Sequence, residues 1–261
     1  MRSQLLRKGG LFLALSVLFA TLFPAPSQAL SNFKVAPSTI WGHTYAGKAV
    51  GNPTTTAPKV FNLEAKSKFV VNYKNFPDWA KKDFQSAVDI WAANFASAAP
   101  VTIDASWGRA PSWGVLGSAR PGNYYSGFDG APDQSLWYPS ALANALAGKD
   151  LEPENPEMVI QVNSMATWNT RNDGTPRSNE YDLESVFLHE MGHGLGFLST
   201  DSYDQFFGYG TIEQPTPYDA YAQLADGRRL SDLPSPSIEL GKALTSTLVW
   251  AGPLGMAANG G

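Results

Sequence analysis

Two of the three histidines in this 261-residue chain stand four apart in "HEMGH", at His189 and His193, with Glu190 between them. On a helix that spacing puts both rings on one face, with β-carbons about 5–6 Å apart, so two ring nitrogens can share one ion at about 2.0–2.1 Å each. Glu190 lies one step round from His189, out of line for the ion but within reach of a water held on it. Zn2+ would lower the pKa of that water to about 7 and polarise a carbonyl, while a neighbouring carboxylate takes the proton and returns it to the leaving amine. His189 and His193 are therefore the expected metal ligands, Glu190 the expected catalytic base, and peptide-bond hydrolysis the expected reaction. The competing explanation is a buried helix whose imidazoles are satisfied internally, and Val186, Phe187, Leu188, Met191 and Leu195 do wrap this helix in apolar surface. Burial alone does not ask for two polar rings at this spacing with a carboxylate between them.

The elements that must position the motif can be read from periodicity. Asp182 is a good N-cap for its helix. "KFVVNY", Lys68 to Tyr73, reads as a strand. It precedes a core-facing helix that has Pro77 in its first turn and Phe84, Val88, Trp91 and Phe95 on one face. "VTIDASW" alternates Val101, Ile103, Ala105 and Trp107, so strand, helix, strand is expected before residue 110, with an α/β crossover layer the economical result. Residues 108–156 read as loops rich in Gly, Pro and aromatics, with one short helix from a Ser140 cap to Gly148. Their Trp and Tyr side chains are expected to staple loops to the core rather than to form a sugar platform. Met158 to Ser164 reads as a strand leading toward the motif.

"HEMGHGLGF" resembles the zincin metallopeptidases. Gly196, three residues after the second His, resembles the metzincin signature, in which that Gly lets the helix stop and the chain turn under the metal. The "HGLGF" run is similar to leishmanolysin-type enzymes and to secreted bacterial metalloproteases with an "HELGHGLGF" core. The likeness covers residues 68–197 in order of elements and is specific only in the motif. It implies zinc on His189 and His193, and Glu190 as base. It also implies an α+β, metzincin-like fold: a twisted sheet with a backing helix, an active-site helix and an incomplete C-terminal subdomain. Residues 158–164 would be the edge strand along which peptide substrates pair through their main chains.

A catalytic zinc needs a third protein ligand. The compact metzincin position is occupied by Ser199, and His43 lies in what reads as an irregular entry segment. Asp201, Asp204, Glu213, Asp219 and Glu239 are carboxylates downstream, none in a recognisable ligand motif. The expectation is that the third ligand follows residue 261. Residues 197–250 read as the long insertion of leishmanolysin-like enzymes, and "GMAANGG" follows the apolar "LVW" with no second strand to receive it.

Arg2, Arg7 and Lys8 precede an apolar run from Leu11 to Phe23, then Pro24, Pro26 and "SQA". Residues 1–29 therefore read as a signal peptide, its apolar run shorter than the roughly 20 residues of a membrane span. One zinc metallopeptidase domain is expected over residues 30–261. The chain carries a formal charge of −4, which argues against nucleic acid or an anionic membrane as partner and leaves a protein or peptide substrate. An exported chain without cysteine fits a bacterial periplasm or medium. The rival functions are a secreted adhesion protein using its eight tryptophans, and a zinc-site pseudoenzyme that keeps the fold for interaction.

Overall fold

A computed structural model describes residues 33–46, 64–110 and 112–259, so the signal-peptide reading of residues 1–29 lies outside the described residues. In chain order the elements are β1 (Lys34–Pro37), β2 (Gly42–Tyr45), β3 (Phe69–Lys74), α1 (Asp78–Asn94), β4 (Val101–Gly108), β5 (Val115–Pro121), β6 (Asn123–Ser126), β7 (Tyr138–Pro139), α2 (Ser140–Ala147), β8 (Met158–Asn163) and α3 (Leu183–Gly194). After them come β9 (Ser202–Tyr203), β10 (Gly210–Thr211), β11 (Ala222–Leu224), α4 (Ile238–Leu244), β12 (Leu248–Trp250) and α5 (Pro253–Asn259). The chain is α+β.

The strand, helix, strand reading holds. β3 and β4 pair in parallel, Phe69 opposite Val101, with α1 crossing between them. β4 also pairs in parallel with β8, and β5 lies antiparallel on the far side of β8, giving a five-stranded sheet in the order β2-β5-β8-β4-β3. One face of this sheet packs against α1 and α3 through a core holding Ile103, Ile160, Phe84, Phe187 and Met191. Phe84 from α1 and Phe187 from α3 are both 0% exposed, with ring centroids 4.4 Å apart. Burying each such ring is worth about 1.5–3 kcal/mol, so this pair locks the backing helix to the helix that carries the motif.

Several expectations need correction. β8 is not an edge strand: β4 and β5 use both of its backbone sides, so no peptide can add there. The segment around His43 is not irregular, since it forms β1 and β2. Residues 108–156 hold β5, β6 and β7. β5 was hidden because Val115 to Ala119 is buried on both faces and shows no alternation. Ser140 opens α2 but does not cap it: its hydroxyl accepts from Asn123 N (2.8 Å) and donates to Asn123 O (3.0 Å), tying α2 to β6. The "LVW" run has a partner strand after all, because β12 pairs antiparallel with β11, Leu248 opposite Leu224. Tyr124, Tyr125 and Tyr138 are buried as loop staples, as expected, although Trp113 is 99% exposed.

Candidate metal centre

α3 begins where the sequence says it should. Asp182 accepts a hydrogen bond from Ser185 N at 2.9 Å, satisfying one of the free N–H groups of the first turn. It ends on a glycine turn in which Gly196 N donates to His193 O (3.0 Å) and Phe197 N to Gly192 O (2.9 Å). Gly196 sits at φ +113°, and a Cβ there would press on the Pro139 ring, so both backbone angle and space call for glycine.

That turn has a chemical consequence. It brings the Phe197 carbonyl to 2.8 Å from His193 Nδ1. A carbonyl can only accept, so Nδ1 carries the proton and Nε2 keeps its lone pair. Nε2 is buried with no hydrogen-bond partner. The His189 ring stands 4.5 Å away, centroid to centroid, at 89°. Burial, and secondarily the neighbouring His193, hold the His189 imidazole below its ordinary pKa, which favours the neutral form that binds metal.

Glu190 points to the sheet instead. It is 0% exposed, and its Oε1 accepts from Thr44 N (3.0 Å) and Thr44 Oγ1 (2.6 Å) on β2. Its Oε2 is buried without a partner. Burial pushes this carboxyl up to about 7, against the smaller downward pull of the two Thr44 bonds. Close approach of helix and sheet depends on missing side chains. A Cβ at Gly117 would stand 2.9 Å from Glu190 Oε1, one at Gly194 would stand 2.7 Å from Met158 Sδ, and one at Gly42 would overlap the His193 ring.

The remaining candidates do not join the pair. Gly42 and Thr44 face α3, so the alternate residue His43 faces away, and its Nδ1 meets Oγ of Ser118, its cross-strand neighbour on β5, at 2.7 Å on the sheet face turned away from α3. Asp201 and Asp219 belong to a separate cluster. Asp219 Oδ2 accepts from Thr216 N (2.9 Å) and Thr216 Oγ1 (2.8 Å), whereas both oxygens of Asp201 are buried without partners. Asp204 is spent on Phe206 N and Phe207 N, and Glu239 reaches Arg228. Among the described residues no three His, Cys, Asp or Glu side chains gather where they could hold one ion.

The donors present fit zinc as two of its three protein ligands, with the orphaned Nε2 of His193 the observation that favours a metal. Sequence reasoning missed Gly42, Thr44, Gly117 and the Phe197 carbonyl. Only the last had a signal, the "GLG" after His193 that foretells a turn. No family model matches this sequence, and neither a curated protein nor a solved structure matches it.

Proposed function

We propose that the chain is an exported zinc-dependent endopeptidase, with His189 and His193 as metal ligands and Glu190 as the proton-transferring base. The observation that carries this reading is the buried, partnerless Nε2 of His193 beside the His189 ring, with Nδ1 already held by a carbonyl. Buried polar nitrogens are rarely left unpaired, and a metal is the partner that both rings can share. The chemistry supplied by a bound zinc is Lewis acidity, which polarises a carbonyl and acidifies a water. Glu190 would take a proton from the attacking water on Oε2, the oxygen with no internal partner, and pass it to the departing amide nitrogen. An interior position excludes bulk water from that exchange and keeps the carboxyl poised near neutrality. Among the described residues no helix is long and apolar enough to cross a membrane.

Purified protein should bind close to one zinc per chain, and His193→Ala should lose it on dialysis. Unchanged zinc content in that variant would remove the basis of the reading. A second reading, a zinc-site pseudoenzyme kept for interaction, is favoured by the complete burial of Glu190. It predicts zinc without turnover of a denatured protein substrate.

A further inference from the structure

Strand β2 has an unusual position for a strand so early in the chain. Among the described residues it is the outermost strand of the main sheet and pairs only with β5, antiparallel, with Gly42 opposite Ala119 and Thr44 opposite Gly117. It is four residues long and its register slips between Thr44 and Tyr45. What it covers is the motif. Thr44 gives both its main-chain N–H and its hydroxyl to Glu190 Oε1, across 146 residues of sequence. Gly42 lies so close on the His193 ring that no side chain could stand there.

We propose that residues 42–45 are a displaceable internal plug on the β5 edge, holding a place that an extended peptide takes when the plug leaves. This inference deepens the peptidase reading and rests on it for the meaning of Glu190. With β2 lifted, β5 would present the main-chain groups that β2 now pairs, an edge that extended peptides of many sequences can complete. An incoming main chain in the same antiparallel pairing would put an amide N–H where Thr44 N now sits, against the Glu190 carboxyl that, once it holds the proton of the attacking water, would pass it to the departing nitrogen. Thr44 thus imitates the leaving-group nitrogen, and its hydroxyl adds a second bond that a substrate need not have. Glycine at 42 lets the plug lie directly on a ligand ring, so the strap masks base and ligand together.

The attachments of β2 are few enough for local release. Among the described residues, beyond its ladder with β5, the Glu190 bonds and the approach of Gly42 to His193, they comprise the His43–Ser118 bond at 2.7 Å, the Arg120 guanidinium 5.1 Å from the Trp41 ring, Ala46 N on Gly114 O and the packing of Ala46 on the core. β1, pairing with β6 from Lys34 to Pro37, is a separate anchor that keeps the strap tethered when β2 lifts.

Two measurements test the plug. In the unaltered full chain, native-state amide hydrogen exchange should show the β2 and β5 edge amides opening about tenfold or more faster than those of β4 and β8, by local release. Thr44→Pro, which deletes the N–H bonded to Glu190, should bind a fluorescent synthetic peptide of residues 40–46 at least about tenfold more tightly than the unaltered chain. An unrelated extended peptide should compete for the same edge. The inference is overturned if β2 opens only with global unfolding, if Thr44→Pro fails to fold, or if the folded variant binds no peptide. Hydrolysis of denatured protein with zinc, measured in the same samples, separates the two ideas: peptide binding without cleavage upholds the plug and rejects the peptidase reading.

Discussion

Glu190 and Asp201 are both carboxyls buried in this molecule, and the chain treats them in opposite ways. Glu190 receives a backbone N–H and a hydroxyl on one oxygen from Thr44, while Asp201 receives nothing on either oxygen and faces the charge of Asp219. Both are nevertheless pushed up to about 7. For Glu190 burial is partly offset by its donors, and for Asp201 burial is reinforced by a like charge. The lesson is that similar proton affinity can come from a group bonded to a neighbouring strand and from one that simply lacks a partner. The bonds from Thr44 on β2, rather than the value itself, distinguish them.

The largest effect that could break this comparison is on turnover. Glu190→Gln should reduce peptide hydrolysis by about 10²–10⁴-fold while zinc stays bound, and Asp201→Asn should leave it near the starting rate. Equal losses in the two variants would show that the comparison has been drawn between the wrong groups.

Next in size is the loss of a hydroxyl donor. Thr216→Val removes a fully interior bond to Asp219 and should cost about 1.5–3 kcal/mol of global stability in denaturant titration. Thr44→Val removes the equivalent bond to Glu190. It should cost less globally, because β2 can come away alone, and should show instead as faster exchange in residues 115–119.

Asp201 should also tilt the pH dependence of stability. Its folded pKa lies above the ordinary 3.8, near 7, so the folded state holds the proton more tightly than the unfolded chain does. That contribution is fully present below pH 3.8 and is lost as pH rises through about 7. Asp201→Asn should therefore raise the thermal midpoint at pH 8 more than at pH 5. An equal shift at both values would mean that Asp201 does not titrate in this range. Smallest of all, Asp182→Ala should cost about 1 kcal/mol by uncapping α3, read from the denaturation midpoint.

What could be read from the sequence was local. The Asp182 cap, the apolar face of α1, the β4 alternation and the turn at Gly196 each arise within one element, where spacing is the physics. The i, i+4 placement of His189 and His193 was legible because helix geometry sets it, and the rings do stand side by side. The edge of the sheet was not legible. Whether β8 is central or marginal is decided by which strands flank it, and β5 shows no alternation because both faces are buried. Nor could Thr44 be found, since nothing near residue 44 signals a carboxylate 146 positions away.

The bond from His193 Nδ1 to the Phe197 carbonyl bears on how this chain can drift in evolution. The acceptor belongs to the main chain, so exchanging the side chain at position 197 leaves it intact, and what the Phe197 ring answers to instead is its packing on Tyr218 and Trp250, with centroids 4.9 Å and 5.5 Å away. Insertions, deletions and loss of Gly196 are a different matter, because they move the carbonyl itself. Relatives of this protein should therefore tolerate a varied residue at 197, the last position of "HEMGHGLGF", only while the four-residue spacing from 193 to 197 is kept. Length, rather than identity, is the inherited constraint on the imidazole.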